Sequence, residues 1–227
     1  MNLVRKQYDK DYYHNALAAK ARRSQRDRMR LDLVREHVRE GHLLEIGCGI
    51  GGFVDIAADC YDAHGIDISE YAVKHSRHQA DGKVIQGDIQ EMRLPADRYS
   101  VVAAFGLLEH LGNPDAVIKQ VYGTLCGGGL FIASVPHNWG PLGKVATAIM
   151  DRWDRTHCSS YTPDRWRTML TAAGFERITM FGEVAPTKGC CVMVRNPLWQ
   201  YVSPNMVFTC RKRTMLKAAS EPNVAPQ

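Results

Sequence analysis

The 227-residue sequence contains no apolar run approaching the ~18–20 residues that a membrane-spanning helix needs. Its first residues, Met-Asn-Leu-Val-Arg-Lys-Gln-Tyr-Asp, offer no apolar stretch ahead of a small-residue cleavage site, so no secretory leader is expected. Seven cysteines are present (Cys48, Cys60, Cys126, Cys158, Cys190, Cys191 and Cys210), but none forms a Cys-x-x-Cys or a zinc-finger spacing. No metal site is expected, and reduced thiols in a cytoplasmic protein are the simplest reading. The adjacent Cys190 and Cys191 are poorly placed to pair with each other. Walker A, Gly-x-Ser-x-Gly and His-Glu-x-x-His patterns are all missing, which removes the nucleoside triphosphatase, serine hydrolase and zinc protease classes. There is no internal repeat and no low-complexity tract.

What is present is ordinary for a globular chain, with 45% hydrophobic and 23% charged residues, and the length suits one α/β domain. The net charge of +5 is local. Residues 20–39 hold eight basic side chains against Asp27, Asp32 and Glu36, a surplus of +5 that accounts for the whole chain's charge. This describes one basic helix, with Leu31, Val34 and Val38 on a common face, and not a basic protein surface of the kind that binds nucleic acid. A solvated face or a site for an anionic acceptor would both suit it.

Beyond Gly41 the pattern alternates as parallel strands with crossover helices do. Strands are expected near 42–47, 63–68, 83–87, 99–105 and 129–135, and helices near 51–60, 69–80 and 113–125. The strands are short and nearly continuously apolar, as they are when both faces of a sheet are covered. After Pro136 the pattern loosens. A helix is expected again over 163–173, with Thr162 as N-cap and Pro163 at its first position. Two final strands follow near 175–183 and 205–212, separated by an insertion over 184–204. The expected architecture is a single three-layer, doubly wound α/β domain. It has a seven-stranded, mostly parallel sheet with the last strand antiparallel, an N-terminal helical cap (1–40) and an insertion after the fifth strand. In that reading the main domain spans 41–213, with substrate-side insertions at 136–162 and 184–204, and the tail 214–227 is disordered.

The segment Leu-Leu-Glu-Ile-Gly-Cys-Gly-Ile-Gly-Gly at 43–52 is a strand running into a glycine-rich turn. Glycine belongs where such a turn takes positive φ and where a ligand approaches the backbone. By itself the loop is ambiguous. Gly47, Gly49 and Gly52 fit the Gly-x-Gly-x-x-Gly of dinucleotide binders, whereas Gly47, Gly49 and Gly51 fit Gly-x-Gly-x-Gly. Asp67, at the end of the second strand, can hold ribose hydroxyls in either case. Glu45 inside the strand separates them: a carboxylate there is awkward beside a pyrophosphate and favourable beside a cationic ligand. Gly87-Asp88-Ile89 then supplies a second acidic strand end. Asp97-Arg-Tyr-Ser-Val-Val leads on to Gly106-Leu-Leu-Glu-His-Leu, and Leu125-Cys-Gly-Gly-Gly-Leu precedes the fifth strand.

In this order and spacing, the series over residues 41–135 resembles the class I S-adenosylmethionine-dependent methyltransferases, specifically their small-molecule branch. His157 to Gly174 is similar to a further segment of that branch. The resemblance implies S-adenosylmethionine as cofactor and a role for each matching residue. The backbone of Gly47 and Gly49 would line the methionine part, Glu45 would lie near its charged end, and Gly51 would complete the turn. Asp67 would hold the ribose hydroxyls, unless it serves only as a helix N-cap, and Ile68 would border adenine. Asp88 would meet the adenine amino group, unless it is only a turn residue, and Ile89 would pack on the ring. A carbonyl at Phe105 or Gly106 would receive the methionine ammonium. Cys48 reads as a small spacer.

Methyl transfer demands few particular side chains, because the electrophile arrives activated and the protein has mainly to align the acceptor and remove a proton where needed. His110, just after the fourth strand, is the candidate base or acceptor-positioning group, with a structural role beside Asn113 as the plainer alternative. His157 is a second candidate. Tyr13, His137 and Trp139 are candidates for the acceptor pocket. The expected activity is methyl transfer to an oxygen or nitrogen of a small molecule, with no nucleic-acid partner and with a monomer or a homodimer equally open. A methyltransferase acting on RNA or protein, a nicotinamide-dependent oxidoreductase and a non-catalytic binding module are the alternatives.

Overall fold

The computed structural model describes residues 20–77, 81–136, 161–187, 190–196, 198 and 203–214. The chain begins there with helix α1 (Lys20–Arg35), followed by β1 (His42–Ile46), α2 (Gly52–Ala57), β2 (Asp62–Asp67), α3 (Glu70–Lys74), β3 (Val84–Gln86) and β4 (Tyr99–Phe105). A 3-10 turn (Leu108–His110), α4 (Pro114–Thr124), β5 (Leu125–Pro136), α5 (Pro163–Ala172), β6 (Phe175–Thr187), β7 (Cys190–Val194) and β8 (Asn205–Lys212) complete it.

These strands form one 8-stranded sheet in the order β3-β2-β1-β4-β5-β8-β6-β7. The four pairings that join the five strands from β3 to β5 are parallel. β8 lies between β5 and β6, antiparallel to both, and β7 pairs antiparallel with the outer edge of β6. The α/β class and the antiparallel last strand are as expected, but the sheet has an eighth strand. Residues Cys190–Val194, read from sequence as part of an insertion, pair with Gly182, Glu183, Val184 and Thr187 of β6. An isolated apolar run of this kind draws its strand character from the neighbours it packs and pairs with, so sequence gives it little weight until an edge is available.

The period-two alternation of the parallel strands sorts the core into two layers. Leu44, Ile46, Val102, Ala104, Phe131 and Ala133 face α4 and α5, where they meet Val117, Ile118, Val121, Trp166 and Leu170. Leu43, Val101, Ala103, Leu130 and Ile132 face the other way, onto Leu31, Leu33 and Val34 of α1 and Phe53, Val54 and Ala57 of α2. Glu45, Phe105 and Ser134 share the parity of this second set, so the strands turn them toward α1 near the carboxyl edge of the sheet. That edge is where open α/β sheets bind ligands.

Element ends follow local chemistry. Asn113 accepts from the Ala116 amide and Thr162 from the Arg165 amide, each just before a proline at the first helical turn. Helix α1 stops at Arg35, short of the expected 39, and side chains take over its trailing carbonyls: Arg211 donates to the His37 oxygen (2.8 Å) and Tyr61 to that of Val38 (2.5 Å). Helix α3 ends at Lys74, well short of 80, where the His75 ring stacks on Tyr71 and donates through Nδ1 to its carbonyl. Strand β5 begins at Leu125 rather than 129, since the glycines at 127–129 bulge and stay in the sheet. Among the described residues, no helix is long and apolar enough to cross a membrane.

Candidate functional site

Strand β1 ends at Ile46, and the chain turns at once. The amides of Gly47 and Cys48 both donate to the Ile66 carbonyl at the end of β2, at 2.7 and 3.1 Å. The Gly49 amide donates to Asp67 Oδ2 (2.7 Å), while Asp67 Oδ1 accepts from the Ser69 amide (2.8 Å). One carboxylate therefore ties the glycine loop to the end of β2. It is not the helix cap: Ser69 is, its hydroxyl accepting from the Ala72 amide. Gly47 and Gly49 both take positive φ. Gly51, the N-cap of α2, has φ +83°, and a Cβ there would lie 2.8 Å from Ser76 Oγ, so both conformation and space require glycine. Cys48 points into the strand beneath the loop. Its sulfur lies 2.6 Å from where a Gly65 Cβ would be, so the residue is a spacer fitted against a missing side chain. Burial, reinforced by the Glu45 and Asp67 charges, pushes its thiol well above the ordinary range, which argues against a nucleophile.

Glu45 is 5% exposed, and its Oε2 is buried with no hydrogen-bond partner among the described residues. Burial pushes its carboxyl well up, and the nearby Asp27 and Asp67 charges add to this against the pull of Arg30 and the Val54 amide. An orphaned buried carboxylate is costly unless something cationic completes it. Beside a loop of glycines that leaves backbone open to close approach, it suits a ligand with positive charge at one end. That fits S-adenosylmethionine, whose sulfonium and ammonium would complete the carboxylate.

The other candidates fall around the same edge. Ile68 is half-buried and its carbonyl accepts from Gln86 (3.3 Å). Asp88 is buried and caps its own turn, Oδ1 accepting from the Gln90 amide (3.0 Å). Ile89 packs into the core layer on the α4 side. Phe105 closes β4, and Gly106, at φ +65°, donates to the Ser134 carbonyl (2.9 Å). His110 ends the 3-10 turn with its side chain 10% exposed, its Nε2 3.9 Å from Glu109 Oε1. Tyr13, His137, Trp139 and His157 lie outside the described residues, as does the tail beyond Thr214.

Sequence reasoning missed a charged cluster beneath α1. Glu183 of β6, 1% exposed, accepts from Arg30 Nε (3.2 Å) and Arg30 Nη2 (3.1 Å), and also pairs with Arg26 Nε (3.2 Å). Arg30 Nη2 donates in addition to Ser134 Oγ (3.0 Å), and the guanidinium lies 4.2 Å from the centroid of the Phe105 ring. Part of the signal was available. Asp27, Arg30, Leu31 and Val34 fall at i, i+3, i+4 and i+7, a buried helical stripe, and Glu183 has the inward parity of Phe181. Two of the eight basic side chains in 20–39 are thus spent on a carboxylate of the sheet, and the helix offers less free positive charge than its composition suggests. Among the described residues no group of His, Cys, Asp or Glu could hold a metal ion.

Comparison with known proteins places the chain in a family. A family model described as "Methyltransferase domain" matches residues 15–179. Over 130 residues the chain is 32% identical to the "Probable fatty acid methyltransferase" of Pseudomonas putida, covering 51% of this chain and 33% of that one. Over 142 residues it is 30% identical to a "Probable S-adenosylmethionine-dependent methyltransferase" of Mycobacterium tuberculosis, covering 62% and 50%. The match thus spans a third to a half of the length of these curated relatives. Among solved structures, a SAM-dependent methyltransferase of Thermotoga maritima superposes with a TM-score of 0.69 at 15% identity, covering 89% of this chain and 95% of that one. A phosphoethanolamine N-methyltransferase of Haemonchus contortus, solved with S-adenosyl-L-methionine, gives 0.62 at 16% identity, covering 82% and 53%. At such identities the superpositions speak for the fold alone, whereas the family match decides membership: the chain belongs to the methyltransferase-domain family.

Proposed function

We infer that this chain methylates an oxygen or a nitrogen of a small-molecule acceptor. The observation that carries this reading is His110, a nearly buried imidazole at the carboxyl end of β4, next to Glu109. A hydroxyl or a primary or secondary amine must lose a proton as it is methylated, and an imidazole is suited to receive it. The relatives include a "Ubiquinone biosynthesis O-methyltransferase" of Coxiella burnetii, 28% identical over 106 residues, which keeps an oxygen acceptor in view.

S-adenosylmethionine, when bound, supplies a methyl group already activated on a sulfonium. The protein's part is to hold and orient. In this reading Glu45 neutralises the positive end, the backbone of Gly47 and Gly49 lines the methionine part, and the carbonyl of Phe105 or Gly106 accepts from its ammonium. Asp67 holds the ribose hydroxyls, Ile68 borders adenine, Asp88 meets the adenine amino group and Ile89 backs the ring. Fixing both reactants in line removes most of the entropic part of the barrier. His157, Tyr13, His137 and Trp139 belong to the acceptor side of the proposal. The acceptor can be anionic, since Arg28 and Arg35 of α1 are exposed.

A panel of hydroxyl, amine, unsaturated-lipid and RNA acceptors, incubated with methyl-labelled cofactor and resolved by mass, tests this. Label on an oxygen or nitrogen of a small molecule is the expected result. Label on carbon, on RNA or on protein alone would overturn it.

A further inference from the structure

The buried ion cluster under α1 has more connections than holding a helix to a sheet requires. Glu183 stands on β6, on the far side of the sheet from the glycine loop in strand order. Its partner Arg30 stands on α1, and the Arg30 guanidinium covers one face of the Phe105 ring. Phe105 in turn meets Phe53, the second residue of α2, edge to face at 4.9 Å. A continuous path therefore runs from β6 through α1 and the end of β4 to the helix that begins at the glycine loop. Ser134 fixes the second nitrogen of the guanidinium from β5, so Arg30 is held in one orientation by three elements.

The geometry points to Glu183 and Arg30 as positioning residues for the cofactor site. Glu183 fixes the Arg30 fork, and Arg30 sets the Phe105 wall and supplies a positive charge that bears on Glu45. Neither residue need touch the cofactor. This deepens the placement of Glu45 and Phe105 at the methionine end and rests on it. Two features separate it from a merely structural ion pair. A planar guanidinium serves a flat ring face and a bidentate carboxylate at once, which an ammonium cannot do. And a buried pair of this kind can be exchanged for apolar side chains of similar volume with little loss of stability; Arg26, the other partner of Glu183, is 32% exposed and can turn to solvent, so removing Arg30 and Glu183 together isolates the positioning role. The charges bearing on Glu45 are Asp27 and Arg30 from α1 and Asp67 from β2, so deleting Arg30 leaves it facing only acids.

The test uses three variants of the full chain: Arg30→Lys, Glu183→Gln, and the double Arg30→Met/Glu183→Leu. Melting curves and titration calorimetry with S-adenosylmethionine are run for each between pH 6 and 8. The expected double variant melts cooperatively near the wild-type temperature. It binds the cofactor about tenfold more weakly, the order of coupling between neighbouring residues, and its affinity rises with pH at a higher midpoint. In turnover, KM for the cofactor rises while kcat at saturation stays within about twofold. Arg30→Lys, which keeps charge but not the fork, falls between. A folded double variant with wild-type affinity and pH profile would overturn the proposal. If the double variant does not fold, Arg30→Lys decides: unchanged cofactor affinity in that variant overturns the proposal equally. Failure of the wild type itself to bind S-adenosylmethionine would instead fail the underlying site assignment.

Discussion

Replacing Glu45 by Gln should make the free protein more stable and the complex weaker, and the two effects should depend on pH in opposite ways. Glu45 is buried, one of its oxygens is unpartnered, and burial raises its carboxyl well above the ordinary 4.5. Below that value the residue is protonated whether the chain is folded or not, so wild type and Glu45→Gln should melt together. As pH rises further, the unfolded chain gives up the proton while the folded one keeps it, so the wild type loses stability at up to about 1.4 kcal/mol per pH unit. Above the folded-state value the difference levels off. For a chain of this size that slope is a separation of melting temperatures of about 3–6 °C per pH unit. Cofactor binding runs the other way. A cation beside the carboxylate restores its charge, so wild-type binding tightens with rising pH and releases a proton, seen as a buffer-dependent calorimetric enthalpy. Glu45→Gln should bind about ten- to a hundredfold more weakly, as expected for loss of one charge-assisted contact, and should release no proton. Melting curves from pH 4 to 8 with and without S-adenosylmethionine read both effects. A melting difference that does not change with pH, or a variant that keeps its cofactor affinity, would refute the assignment of Glu45.

Three further outcomes are expected. Gly51→Ala places a Cβ at φ +83° against Ser76, which costs about 1–2 kcal/mol in backbone strain alone; its KM for the cofactor should rise, and Ser76→Ala should recover part of the loss. His110→Ala should lower kcat by about a hundredfold or more if the imidazole takes the acceptor's proton, with cofactor affinity by calorimetry left intact; unaltered turnover would remove it from the mechanism. At the opposite edge of the sheet, the His64 ring 3.2 Å away and hydrogen bonds from Lys83 and His42 hold the Asp62 carboxyl at about 2. Its contribution is therefore complete above pH 3.8 and lost as pH falls through about 2. Denaturant titrations should show Asp62→Asn less stable than wild type near neutrality, with the gap closing as pH falls from 3.8 toward about 2, and a gap that does not narrow over that range would count against the shift.

The alternation of short apolar strands with helices, the caps at Asn113 and Thr162 and the glycine turn at 47–52 were all legible in the chain, because each depends on residues within a few positions of one another. So was the place of Glu45 inside the first strand, two residues ahead of the turn. Strand β7 was not legible: five apolar residues become a strand only when the edge of β6 is there to pair with. Nor was the meaning of the basic helix. Composition counted Arg26 and Arg30 as free charge, and only the sheet, by placing β6 opposite α1, brought Glu183 to them across 153 residues of sequence. Asp67 lies between these cases. Its place at a strand end was readable, but its bond to the Gly49 amide depends on β1 and β2 lying side by side. Local pattern determined that a strand carrying a carboxylate runs into a glycine turn at this edge. Which distant charges surround that turn was decided by strand order, because electrostatics inside a protein follows distance in space and not distance along the chain.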